Sequence, residues 1–99
     1  MRGFKVTEKA LADLKEIARY TQNRWGRDQR IKYLAQLDSL FARLVNDPHL
    51  GTDYSGVRSG YRGYIEGKHI VFFRQKNTHI EIIRILHQSM DIAVRLNAN

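Results

Sequence analysis

The stretch His69-Ile70-Val71-Phe72-Phe73-Arg74-Gln75-Lys76-Asn77-Thr78-His79-Ile80-Glu81-Ile82-Ile83-Arg84-Ile85-Leu86-His87 holds two runs rich in β-branched and aromatic residues, separated by Asn77-Thr78. A two-residue polar break between such runs reads as a tight antiparallel hairpin, so residues 69–76 and 79–87 are predicted strands. Both runs are apolar at nearly every position instead of every second one. That places them centrally in a sheet, with helices on one face and a partial cover on the other. Residues 61–66 make a third strand, joined to the hairpin through Gly67-Lys68.

Working outward, residues 48–60 are polar and carry Gly51, Gly56, Gly60 and Ser59, which predicts the most mobile loop of the chain. Before it lie two amphipathic patterns. Ala10, Leu14, Ile17 and Thr21, with Leu11 and Ala18 beside them, recur at helical spacing after an N-cap at Thr7, and Gly26 closes the pattern. A second helix starts at Arg27-Asp28, with Asp28 as its expected cap, and presents Leu34, Leu37, Phe41 and Leu44. Asn46-Asp47-Pro48 stops it, because proline pushes the preceding residue out of the helical region. The short connection folds the two helices into an antiparallel hairpin. Phe4-Lys5-Val6 is a brief opening strand, and residues 89–96 form a short helix capped by Ser89, ahead of a frayed Asn97-Ala98-Asn99. Trp25 and Tyr20, near the helical turn, read as packing residues.

The element order β-α-α-β-β-β with a short C-terminal helix is an α+β domain: an N-terminal strand and helical hairpin packed on a small antiparallel sheet. At 99 residues the chain is expected to be a single domain, 1–99, of modest stability. There is no cysteine, which removes disulfides, thiolate catalysis and cysteine zinc sites. No apolar stretch approaches the length that spans a bilayer, and Met1-Arg2-Gly3-Phe4-Lys5 lacks a signal peptide's apolar segment, so the expected location is cytoplasmic.

Lys and Arg outnumber Asp and Glu by ten to six in residues 1–47 and by seven to three in 56–99, so the +7 charge is spread along the chain. It suits an acidic protein or a polyanion, or simply a solvated surface. There is no run of consecutive cations and no zinc-finger, RNP or GxxG motif. His49, His69, His79 and His87 have no metal-ligand spacing, and no Walker loop or GxSxG element occurs, so neither metal nor cofactor is implied.

The residues that bear chemistry are Arg58, Arg62, Arg84 and His87, all on the sheet side. In a regular strand Arg84 shares a face with Ile82 and Leu86, and His87 shares the other with Ile83 and Ile85. An arginine between apolar neighbours either pairs with a carboxylate such as Glu66 or Glu81, stays on the surface, or lines an anion-binding cleft in which His87 transfers protons.

Four segments together resemble a known family: Thr7-x-x-Ala10-x-x-Asp13-Leu14-x-x-Ile17-x-x-Tyr20, then Val57-Arg58-x-Gly60-x-Arg62-x-Tyr64-x-x-Gly67-x-His69, then Val71-Phe72-Phe73-Arg74, and Ile82-x-Arg84-Ile85-Leu86-His87-x-x-x-Asp91. The pattern is similar to the ParE toxins of the RelE/ParE superfamily and covers nearly the whole chain. The resemblance implies a non-enzymatic toxin that poisons DNA gyrase and blocks replication. It also implies a ParD-like antitoxin whose acidic C-terminal segment wraps the toxin. Arg58, Arg62, Arg74, Arg84 and His87 are then candidates for antitoxin or target binding, without sequence-specific nucleic-acid contacts and without a membrane partner. The alternative comes from the sister RelE branch, ribosome-dependent mRNA cleavage, with Arg58, Arg62, Arg84 and His87 as the catalytic set. Members of that branch commonly place a tyrosine, or a histidine with an aromatic, near the end of the last strand. This chain has His87-Gln88 there and no tyrosine after Tyr64.

Overall fold

The computed structural model describes residues 3–97, so the readings made on Met1-Arg2 and on Ala98-Asn99 lie outside the described residues. In chain order the elements are β1 (Gly3–Val6), α1 (Glu8–Trp25), α2 (Arg27–Asn46), β2 (Thr52–Asp53), β3 (Tyr61–Glu66), β4 (His69–Gln75), β5 (His79–His87) and α3 (Ile92–Asn97). The helical hairpin lies on one five-stranded sheet in the order β1-β5-β4-β3-β2, the expected α+β architecture.

Thr7 caps α1 by accepting the Ala10 N–H at 3.1 Å, and its hydroxyl donates to the Ile83 carbonyl at 2.8 Å. The same side chain therefore starts the helix and ties it to β5. Gly26, at φ 95°, makes the turn between the helices alone: its N–H donates to Gln22 and its carbonyl accepts from Arg30. A left-handed φ favours glycine there. Asp28 is not the cap of α2, because the helix already begins at Arg27; it contributes negative charge in the first turn. Ser89 is likewise not the cap of α3. Asp91 takes that place through its side chain to Val94 N–H and its carbonyl to Arg95 N–H.

The helix stripes meet the sheet in a core of Ala10, Ile17, Leu37, Leu40, Phe41 and Leu44 against Val71, Phe73, Ile80, Ile82 and Ile85. Burying each of the larger side chains is worth about 1.5–3 kcal/mol. On the opposite face Tyr61, Ile70, Phe72 and Leu86 pack under Leu96 of α3, with Tyr54, Val57, Ile83 and Ile92 around them. β4 and β5 are thus central and covered on both faces, as their composition demands.

Three features depart from the sequence expectation. β1 pairs in parallel with β5, so the sheet is mixed. The 48–60 segment is not a free loop, since Thr52 and Asp53 pair with Gly63 and Arg62 and extend the sheet by a strand. And β5 carries a bulge. Phe73 faces Ile82 but Phe72 faces Arg84, leaving Ile83 without an opposite residue. One extra residue reverses which side each later side chain takes. Arg84 therefore shares a face with Leu86 but not with Ile82, and His87 shares one with Ile85 but not with Ile83.

Candidate functional site

The bulge lies where β1 ends and the edge of β5 loses its neighbour. Its exposed backbone groups are met by Thr7, through both its backbone and its side chain, and by the Asp13 side chain of the first helix. The Ile82 carbonyl accepts from Thr7 N–H, the Ile83 carbonyl from Thr7 Oγ1, and the Ile85 N–H donates to Asp13 Oδ2 at 2.9 Å. Arg84 closes on the same carboxylate, with Nε to Oδ2 at 2.8 Å and Nη2 to Oδ1 at 3.0 Å. Its pKa is raised, first through the hydrogen bonds to Asp13, with burial opposing and the Asp13 charge adding. The carboxylate partner is thus neither Glu66 nor Glu81. Asp13 comes from a helix 71 residues away.

The other cations are committed elsewhere. Arg62 donates to three carbonyls, those of His49 (2.7 Å), Leu50 (3.2 Å) and Gly51 (3.0 Å), and so pins the segment before β2. Arg74 pairs with Glu81 at 2.9 Å, and its Nε is buried without a hydrogen-bond partner. Arg58 and Arg74 both lie over the Tyr61 ring, 5.8 and 5.7 Å from its centroid, within the range of cation–π attraction. His87 sits at the far end of the sheet. The bulge brings it opposite His69, with ring centroids 5.5 Å apart. His69 Nδ1 meets the Tyr33 hydroxyl at 2.7 Å, Tyr33 also donates to the Glu66 carbonyl, and His87 Nδ1 accepts from Ser89 N–H. Burial first, and the nearby His87 second, lower the His69 pKa, while Asp13 opposes them. Burial and Glu66 push the Tyr33 hydroxyl up to about 12.

The arrangement divides the proposed set. Arg62, Arg74 and Arg58 lie about one end of the sheet, Arg84 lies at its β5 edge, and His87 lies at the opposite end; Arg62 and Arg74 line one solvent-open cavity of about 550 Å³ with His49 and Asp53, but Arg58, Arg84 and His87 do not. Asp13, Tyr33 and His69 were missed by sequence reasoning. For Asp13 a signal existed in the family-like Asp13-Leu14 pair. His69 stands in the family-like pattern too, but its partner was hidden, because a regular hairpin through Asn77-Thr78 would set it against Leu86 and not against His87.

A further feature is a solvent-open groove of about 300 Å³ between the two helices, lined by Leu14, Ala18, Leu34, Leu37 and Phe41, with Lys15 and Asp38 at its rim. Beyond the groove, at the hairpin turn, Tyr20 and Trp25 are 59% and 66% exposed. They do not pack, contrary to expectation, since a one-residue turn leaves no third element above them.

Comparison with known proteins agrees with this architecture. The family model described as ParE toxin of type II toxin-antitoxin system, parDE, matches residues 4–92. The chain belongs to the ParE toxin family. It is 35% identical over 96 residues to Toxin ParE1 of Caulobacter vibrioides, covering 97% of this chain and 99% of that one. It is 33% identical over 97 residues to Toxin ParE of Escherichia coli, covering 97% and 94%. Among solved structures, the chromosomal ParDE toxin–antitoxin system from P. aeruginosa superposes with a TM-score of 0.75 at 26% identity, over 88% of this chain and 96% of that one. YafQ from E. coli superposes with a TM-score of 0.55 at 18% identity, over 90% of this chain and 96% of that one, a likeness of fold. As a ParE family member the chain is a toxin of a type II toxin–antitoxin system.

Proposed function

We propose that the toxin acts in the cytoplasm by poisoning DNA gyrase without a chemical step of its own, and that a ParD-like antitoxin neutralises it. One observation carries the non-enzymatic part. Arg62, Arg74 and Arg84 are each bonded inside the chain, to backbone carbonyls, to Glu81 and to Asp13. A phosphoryl-transfer site needs cations aimed at an empty position where charge develops; Arg84 does not line the cavity that Arg62 and Arg74 share, and the guanidinium groups of those two are already engaged within the chain. The antitoxin part rests on the interhelical groove. Its apolar lining and the chain's net charge of +7 suit an amphipathic acidic segment that folds as it binds.

The test is a gyrase supercoiling and cleavage assay run beside mRNA cleavage on translating ribosomes. Loss of supercoiling with accumulation of cleaved DNA, and intact transcripts, is the expected result. Intact gyrase activity at molar excess of toxin would overturn the proposal. Transcript cleavage would favour the ribonuclease reading, for which the structure offers His87 with His69 and Tyr33 as proton carriers in place of the dispersed arginines.

A further inference from the structure

The tip of the helical hairpin combines two properties that neither the fold nor the groove requires. Its rings are uncovered: Trp25, the only tryptophan of the chain, is 66% exposed, and Tyr20 is 59% exposed. Tryptophan is on average a heavily buried residue, so a bare one at a turn is a departure. The tip is also basic. Residues 19–32 hold Arg19, Arg24, Arg27, Arg30 and Lys32 against Asp28 alone. Arg19 is taken by Glu16, whereas Arg24, Arg27, Arg30 and Lys32 form no ion pair among the described residues.

The geometry interleaves the two kinds of group. Tyr20 and Arg24 are one turn apart on α1 and so lie side by side. The Arg24 guanidinium is 5.8 Å from the centre of the Trp25 ring. Arg27 opens α2 directly after Gly26. Ring, cation, ring, cation is the pattern with which proteins hold single-stranded nucleic acid, where bases stack on aromatic faces and phosphates meet the intervening charges. An acidic peptide would satisfy the guanidinium groups but has no flat faces to offer the rings. The groove suited to such a peptide ends at Ala18 and Leu34, about 10 Å along the helix from Trp25.

We infer that the hairpin tip, Tyr20, Arg24, Trp25 and Arg27, is a stacking surface for unpaired nucleic-acid bases, used without sequence preference. The inference stands apart from the choice of gyrase as target, because it concerns binding by the toxin alone.

The lone tryptophan supplies the probe. The whole toxin is titrated with a fluorescein-labelled oligothymidylate of about 20 nucleotides, reading Trp25 emission and label anisotropy together. Quenching of Trp25 that saturates with the anisotropy, and an affinity loss of about ten-fold for Trp25→Ala, are expected. Both Trp25 and Tyr20 are exposed, so neither substitution disturbs the core; unchanged circular dichroism checks this. Replacing Arg24 and Arg27 together by Gln is expected to reduce the slope of log affinity against log salt by about 1.4. Three results would overturn the inference: equal affinity for Trp25→Ala, quenching by poly-glutamate matching that by the oligonucleotide, or a shift in Trp25 emission with toxin concentration alone that marks pairing of two tips.

Discussion

Asp13 and Arg84 form a two-point ion pair between α1 and β5, and the same carboxylate accepts the Ile85 N–H. Both side chains are largely buried, 15% and 16% exposed. The pair sits at the one place where β5 lacks a neighbouring strand, so Asp13 does for the Ile85 amide what a strand carbonyl would do.

Removing Asp13 should therefore cost more than removing Arg84. Asp13→Ala leaves a largely buried guanidinium and a strand N–H without their carboxylate partner together, and about 3 kcal/mol of stability is expected to go. Arg84→Met leaves the carboxylate its amide donor and should cost less. Urea denaturation of both single variants and the double variant checks this; the double should fall well short of the sum. Additive losses would mean that the pair is not coupled.

Stability should weaken on mild acidification. The folded His69 has its pKa below the ordinary 6.5, chiefly through burial, so the unfolded chain takes up its proton first. The contribution is constant above about pH 7, is lost as pH falls below 6.5, and levels off under the depressed folded value. His69→Gln should flatten that acid limb in pH-dependent thermal melts, and an unchanged limb would assign it to other groups.

The alkaline limb belongs to Tyr33. Its folded pKa of about 12 lies above the ordinary 10.0, so the unfolded chain loses its proton first and stability falls as pH rises from 10 toward 12. Tyr33→Phe should remove this fall. At neutral pH it should cost about 1 kcal/mol for the lost bonds to Glu66 and His69. A melt series from pH 8 to pH 11 in both proteins makes the comparison.

Arg62 is expected to be a clamp and not a contact to a partner. Arg62→Ala frees the carbonyls of His49, Leu50 and Gly51, and limited proteolysis should then cut within 48–53 much faster than in the parent. Gly51→Ala should disturb the same segment by another route, since φ is +82° and a Cβ would stand 2.1 Å from the Gly63 carbonyl oxygen. If antitoxin affinity drops with Arg62→Ala while the proteolysis pattern stays unchanged, the residue is a binding contact.

The interhelical groove makes a separate prediction. Ala18→Glu places a charge on its apolar lining without entering the core, so the toxin should fold normally yet bind its antitoxin at least about ten-fold more weakly. Calorimetry with the antitoxin and circular dichroism of the free variant decide it. Unchanged affinity would move the antitoxin to another face.

How much of this could be read in advance follows from the range of the forces involved. Helix stripes, the Thr7 cap, the Gly26 turn and the stop at Pro48 depend on residues within a turn or two of one another, and the sequence alone determined them. The same holds for the strands at 61–66 and 79–87, the near-complete strand at 69–75, and the family pattern running through them. Only the tertiary structure decided the parallel pairing of β1 with β5, the added strand at Thr52–Asp53, and the bulge at Ile83. That bulge turned a predicted alternation over, set His87 against His69 and delivered Arg84 to Asp13. The reason is physical: a cation takes whichever acceptor packing brings within 3 Å, and a strand's register is set by what covers its edge. Neither is written in the spacing of neighbouring residues.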